Sequence, residues 1–180
     1  MRIIGGKWKG RKLRFRANDT LRPTLGRTRE TLFNWLRPHI KDTVCLDLFA
    51  GSGVLGFEAL SQGAKEVIFV ERHKPTMQGI RSIAGELQCE DRCRFLTRDA
   101  RSVLRSDLEF DIVFIDPPFN DRQVLTDVLS LMTATANPRF QLAYVETPAS
   151  EDPAQLAARC GLSLDKQTNA GGTVSCLLSP

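Results

Sequence analysis

From residue 44 onward one pattern repeats: a short apolar run, a turn, then a stretch with helical spacing. Apolar runs at 44–49, 66–70, 93–96, 110–115 and 140–145 alternate with helix-like segments at 53–62, 75–88, 100–105 and 124–133. A helix between consecutive strands returns the chain to the same edge of the sheet, so these strands should run parallel with both faces covered. Pro75 and Pro153 suit first-turn positions, and Gly63 and Gly161 suit the left-handed residue that closes a helix. A further helix at 153–160 precedes two last runs, 162–166 and 173–178, with the turn-rich Thr168-Asn169-Ala170-Gly171-Gly172 between them. Those two form a hairpin. The expected fold is α/β: seven strands, mostly parallel, ending in an antiparallel edge.

A chain of 180 residues, 42% of them hydrophobic, suits one domain with a sizeable core. No apolar run approaches the roughly 18 residues of a membrane helix, and the start, Met1 to Lys7, lacks the apolar stretch of a secretory signal. The cytoplasm is the expected compartment. Five cysteines, an odd number without a C-x-x-C pair, read as reduced thiols. Cys89 and Cys93 lack two further ligands at metal spacing, and no metal is expected. The net charge of +4 conceals an asymmetry. Residues 1–41 hold twelve Lys/Arg against Asp19 and Glu30, a net of +10, which leaves −6 for the remainder. The chain therefore divides into a basic N-terminal extension, 1–43, and a body, 44–180. In the extension 2–4 and 12–16 can pair around the loop from Gly5 to Gly10, and 24–36 reads as a helix stopped before Pro38. Such a segment is either a face for a polyanion or a solvated tail.

The first run of the body leads from Asp47-Leu48-Phe49 into Ala50-Gly51-Ser52-Gly53-Val54-Leu55-Gly56, a G-x-G-x-x-G at a strand-to-helix junction. Glycines there permit a tight turn and let a ligand approach the backbone, and the helix start offers unpaired N–H groups. Glu71, twenty residues after Gly51, ends the second run and suits the two hydroxyls of a ribose. A dinucleotide would bring a pyrophosphate, which Asp47 repels. S-adenosylmethionine would bring an ammonium and a sulfonium, which Asp47 attracts. The D-L-F-A-G-S-G stretch resembles the first motif of class I methyltransferases, with their Rossmann-like seven-stranded sheet. The resemblance implies donor contacts from Asp47, Phe49, Ala50, Gly51 and Gly53. It also implies that Asp99 and Ala100, after the third run, meet the adenine; Asp99 reads equally as a helix N-cap.

The fourth run ends in Asp116-Pro117-Pro118-Phe119, which should lie beside the glycine turn, outside the carboxyl ends of the strands. A purine's exocyclic amine is a poor nucleophile because its lone pair is delocalised into the ring. The Asp116 carboxylate and the Pro117 carbonyl can accept its two N–H hydrogens and turn the lone pair toward a methyl group. The prolines hold these acceptors still, and Phe119 offers a stacking face worth about 1–3 kcal/mol. The tetrapeptide resembles the (D/N)-P-P-(Y/F/W) signature of amino-directed methyltransferases, which includes N6-adenine and N2-guanine enzymes. Asp116 also joins the donor site by that resemblance.

The N-terminal M-R-I-I-G-G-K-W-K-G-R-K-L, then Arg22-Pro23-Thr24 and Arg27-x-Arg-Glu-Thr-Leu-Phe-Asn-Trp-Leu, resemble the RsmD family of bacterial 16S rRNA guanine-N2 methyltransferases. The resemblance runs from residue 1 to about 120. It departs at Gly26, where the family's acidic residue is absent, and at Thr28, where an aliphatic is common. It implies S-adenosylmethionine as donor, S-adenosylhomocysteine as product, and 16S rRNA as substrate, within a small ribosomal subunit or an assembly intermediate; a monomer is expected. It implies that Thr24 and Arg27 fold over the donor's methionine end; for Arg22, Arg27 and Arg29 the plainer alternative is a solvated helix face with Glu30. Lys7, Lys9, Arg11, Lys12 and Arg14 suit phosphate contacts, and Trp8 either stacks on a base or packs on the sheet. His39 and His73 read as exposed structural residues. An N6-adenine methyltransferase, a dinucleotide-dependent oxidoreductase and a non-catalytic RNA-binding protein are the competing classes.

Overall fold

Alternation of side chains along each strand divides the apolar residues into two cores, one on each face of a single sheet. The computed structural model describes residues 1–14, 26–118, 122–134, 140–170 and 172–180. In chain order these residues form α1 (Gly26–Leu36), β1 (Val44–Asp47), α2 (Val54–Gln62), β2 (Glu66–Val70) and α3 (Lys74–Leu87). They continue as β3 (Cys93–Leu96), α4 (Ala100–Leu104), β4 (Ile112–Ile115), α5 (Arg122–Met132), β5 (Leu142–Pro148), α6 (Pro153–Arg159), β6 (Ser163–Ala170) and β7 (Thr173–Ser179). The strand order is β3-β2-β1-β4-β5-β7-β6. The first five strands are parallel and the last two antiparallel, as expected.

The hairpin does not simply extend the edge in chain order. The chain passes beyond β5 to lay down β6 outermost and returns as β7 between them. β7 is buried from Thr173 to Leu178, whereas β6 alternates with solvent. Its polar Lys166 to Asn169, expected partly as a turn, therefore continues the strand to Ala170. An edge strand tolerates such residues because only one face is covered.

One core, with Phe57, Phe69, Phe114 and Tyr144, is covered by α1, α2 and α3 and also takes in Ile3, Trp8 and Leu13 of the N-terminal segment. The other, with Leu46, Ile68, Val113 and Val145, is covered by α4, α5 and α6. Phe33 of α1 lies 6.1 Å from Phe114, centroid to centroid, which seats that helix on β4. The expected N-terminal pairing is present as one bridge, Arg2 to Lys12, extended by hydrogen bonds from Ile3 N to Arg11 O and from Leu13 N to Met1 O. Phe15 and Arg16 of that expectation, and Thr24 at the expected helix start, lie outside the described residues. Among the described residues no helix is long and apolar enough to cross a membrane.

Candidate active site

Chain order reverses in the sheet between β1 and β4, since β2 and β3 lie on one side and β5 on the other. A crevice opens at the carboxyl ends of the strands at such a point. Cross-strand pairing of Asp47 with Phe114 brings the β1 turn beside the residues that follow β4. Gly53 N donates to Ala50 O at 2.6 Å, and both Gly51 (φ 50°) and Gly53 (φ 73°) adopt the left-handed conformation that favours glycine. Ala50 N donates to Val70 O, tying this turn to the end of β2.

Four carboxylates surround the crevice. Asp47 is 3% exposed, and its Oδ2 accepts from Gly56 N at 3.0 Å, in the first turn of α2. Burial pushes its carboxyl up to about 7, the negative charge of Glu71 adds to that, and the Gly56 hydrogen bond opposes it. Glu71 accepts from Gly51 N at 3.2 Å and His73 N at 2.8 Å, one amide on each oxygen. Each oxygen keeps a second lone pair for a donor such as a ribose hydroxyl. Asp99 caps α4 by accepting from Arg101 N at 3.0 Å and pairs with the Arg101 side chain, whose hydrogen bond lowers its pKa most. Both readings of Asp99 thus remain compatible, with buried Ala100 beside it. Asp116 is half-buried, Pro117 buried and Pro118 exposed; Phe119 lies outside the described residues.

Beside Asp116 stands a polar group that the sequence reading did not single out. The buried Tyr144 hydroxyl donates to Glu146 Oε1 at 2.6 Å and lies 3.1 Å from Ser175 Oγ. Burial raises the Tyr144 pKa, Glu146 adds to the rise, and the charge of Asp116 contributes a little more. The signal was faint, a Tyr and a Glu two apart in an apolar run.

The family model described as Conserved hypothetical protein 95 matches residues 1–178. Ribosomal RNA small subunit methyltransferase D of Haemophilus influenzae is 44% identical over 124 residues, 67% of this chain and 64% of that protein. The Escherichia coli K12 protein of the same name is 44% identical over 133 residues, 73% of this chain and 66% of that one. The chain belongs to the RsmD family. The matched stretches span just under two thirds of those two relatives. The solved structure of the Escherichia coli protein yhhF superposes with a TM-score of 0.84 at 36% identity, covering 99% of this chain and 97% of that one. A Haemophilus influenzae structure gives 0.76 at 35% identity, covering 99% and 97%. The RsmD-family chain thus has the class I methyltransferase sheet with its antiparallel C-terminal pair.

The basic segment of this RsmD-family chain is docked rather than loose. Met1 Sδ lies 3.6 Å from Ser52 Oγ in the glycine turn, and Trp8 N donates to Ser61 Oγ near the other end of α2. Residues 1–8 therefore run along α2, with 12–14 beside 1–2 and Lys7 and Lys9 at the far end. Lys7, Lys9, Arg11, Lys12 and Arg14 are exposed, as phosphate contacts require. Trp8 is a correction: at 7% exposure its ring belongs to the core beneath α2 and cannot offer a face to a base, so the packing alternative holds. Arg29 is a second, because it is buried and directed at Glu58 rather than solvated beside Glu30. Arg27 is exposed at the start of α1, and Arg22 and Thr24 lie outside the described residues. His39 and His73 are exposed, the latter 2.8 Å from Thr76 Oγ1. Cys89 and Cys93 approach to 3.9 Å between sulfurs. Among the described residues no three His, Cys, Asp or Glu gather as metal ligands would.

Proposed function

We propose that this chain transfers a methyl group from S-adenosylmethionine to the N2 amine of one guanine in 16S rRNA, within a small ribosomal subunit or an assembly intermediate, acting as a cytoplasmic monomer. One observation carries the reading: Asp116-Pro117 follows β4 directly beside the β1 glycine turn, at the reversal of strand order. The names of the relatives, ribosomal RNA small subunit methyltransferase D, support it.

The residues present fit the donor. Asp47, the amides of the glycine turn, Glu71 and Asp99 supply acceptors and donors for an ammonium, a carboxylate, a ribose and an adenine amine, with Phe49, Ala50 and Ala100 as the walls between them. Thr24 and Arg27 belong to the same set by family pattern. When bound, S-adenosylmethionine supplies a methyl carbon on a positively charged sulfur and leaves as S-adenosylhomocysteine. Asp116 and the Pro117 carbonyl accept the two N2–H hydrogens and direct the nitrogen lone pair outward. As the N–C bond forms, the nitrogen becomes positive and the Asp116 carboxylate stabilises it before the surplus proton passes to water. Pro117 and Pro118 keep both acceptors in place without reorganisation, and the Phe119 side chain, by its chemistry, is the stacking partner in this reading. Asp116 acts in this step as a hydrogen-bond acceptor and not as a strong base.

The test is transfer of tritium from labelled donor to unmodified small subunits and to naked 16S rRNA, with the methyl group mapped. Asp116→Ala should lower the rate by roughly a hundredfold or more. Transfer at the wild-type rate by that variant would end the catalytic assignment, and methyl groups mapped to adenine N6 would replace the substrate.

A further inference from the structure

We propose that Glu58 is a positioning residue that fixes residues 1–14 as a strip of cations along α2, so that an RNA strand whose base enters the donor site is held by its phosphates along that helix. The inference rests on the reading of these residues as RNA-contacting and adds where and how they are held.

The geometry begins with a misplaced charge. α2 reads Val-Leu-Gly-Phe-Glu-Ala-Leu-Ser-Gln, and Glu58 is completely buried in it. A buried carboxylate is costly unless its oxygens are satisfied, and an apolar residue would have served the core better. Glu58 Oε2 accepts from Ile4 N at 2.9 Å, and Oε1 accepts from Gly5 N at 2.7 Å and from Gln62 Nε2 at 2.8 Å. Arg29 of α1 closes the arrangement. Its Nη1 lies 3.7 Å from Glu58 Oε2, and Nη1 and Nη2 both donate to Arg2 O at 3.2 Å. One turn further, Ser61 Oγ accepts from Trp8 N at 2.9 Å and donates to Gly5 O at 2.6 Å. The backbone at Arg2, Ile4, Gly5 and Trp8 is thereby held by side chains of two helices.

The local sequence is shaped to this docking. A β-carbon on Gly6, whose φ is 73°, would overlap the Ser61 carbonyl, and one on Gly5 would meet Gln62 Nε2 at 2.7 Å. Only glycine lets the segment lie so close to the helix. Trp8 then anchors in the core while its neighbours Lys7 and Lys9 remain exposed.

Function follows from where the ends fall. Met1 touches Ser52 in the glycine turn, and Trp8 reaches Ser61 eight residues into a nine-residue helix. At 1.5 Å per residue the strip extends about 13 Å from the donor turn. Arg2, Lys12 and Arg14 stand near that turn and Lys7 and Lys9 at the far end. Cations at the far end can hold the RNA backbone but cannot touch the reacting base.

Three variants and one substrate, unmodified 16S rRNA, test this. Glu58→Gln keeps the size but presents an amide nitrogen where two backbone amides donate, so at least one of the Ile4 and Gly5 bonds is lost. We expect KM for the RNA to rise about tenfold and the salt dependence of binding to become shallower. At saturating RNA kcat should be unchanged, and affinity for S-adenosylhomocysteine should stay within about twofold. Ser61→Ala should shift the same quantities the same way by a smaller factor, and it serves if Glu58→Gln does not fold. Unchanged RNA affinity in folded variants, or RNA and S-adenosylhomocysteine affinities falling together, overturns the proposal. A Lys7→Ala, Lys9→Ala double variant should raise KM with kcat kept. Wild-type RNA binding by that double variant sinks the reading of the segment as an RNA face and the inference with it. A loss there with none at Glu58 sinks the inference alone.

Discussion

A carboxyl buried to 3% exposure at the bottom of the donor crevice has a consequence measurable in pH. Asp47 titrates at about 7 in the free protein, well above its value of 3.8 in an unfolded chain. The folded state therefore binds the extra proton more readily between those two values, so this group favours folding at low pH and its contribution is lost as the pH rises through about 7. The ligand's ammonium reverses the preference, since it favours the charged carboxylate that it neutralises. Below about 7, binding must displace the proton. Calorimetric titration with S-adenosylhomocysteine should show affinity rising with pH between 5 and 7, by up to about tenfold per unit, and flattening above. Asp47→Asn should weaken binding and remove that slope. A variant that keeps the wild-type slope would show that another group carries it. Glu58, equally buried, spends its oxygens on the Ile4 and Gly5 amides and on Arg29, which separates a structural side chain from one with work left to do at the crevice.

Helix α2 links these two residues, and its third position packs closely against the sheet. A β-carbon on Gly56 would overlap the ring of Phe69 on β2 and press on Val67. Gly56→Ala should destabilise the protein by about 1–3 kcal/mol in urea unfolding. Gly26→Ala, at the open start of α1 with nothing near the added carbon, should be neutral or stabilise by at most about 1 kcal/mol. Equal costs at the two sites would refute the packing argument. Strands β1 to β5 and the intervening helices were legible because hydrophobic period and helix-ending glycines are local signals; Gly63 and Gly161 do adopt positive φ. The site turn and Asp116 were legible for the same reason, since each motif lies at a strand end. What the sequence concealed depends on partners far along the chain. Trp8 is adjacent to lysines in sequence but buried through α2, and the bonds of Glu58 to Ile4 and Gly5 span more than fifty residues. The insertion of β7 inside β6 is likewise a choice between two chain paths with the same local pattern.

Across the whole molecule the charge is arranged rather than merely unequal. Residues 1–41 carry a net +10 and the remainder −6, and the exposed cations of residues 1–14 lie along α2, so a polyanion is drawn to that segment rather than to the acidic remainder. Binding through such a strip releases counterions in proportion to the phosphates engaged, with a log-log salt slope of about −0.7 to −0.9 for each. Arg2, Lys7, Lys9, Arg11, Lys12 and Arg14 are all exposed. If four to six of them meet phosphates, the slope for 16S rRNA should lie at about −3 to −5. Substituting Lys7, Lys9 and Lys12 together by alanine should reduce its magnitude by about 2 to 3. Lys166 on the edge strand β6 and Arg159 on α6 are also exposed, but they lie on elements at the other end of the sheet. Alanine at both should leave the slope unchanged, although net charge falls by two. Should that pair flatten the slope as strongly as the three lysines do, the protein would be attracting RNA through its overall charge, and the strip along α2 would have no special part in recognition.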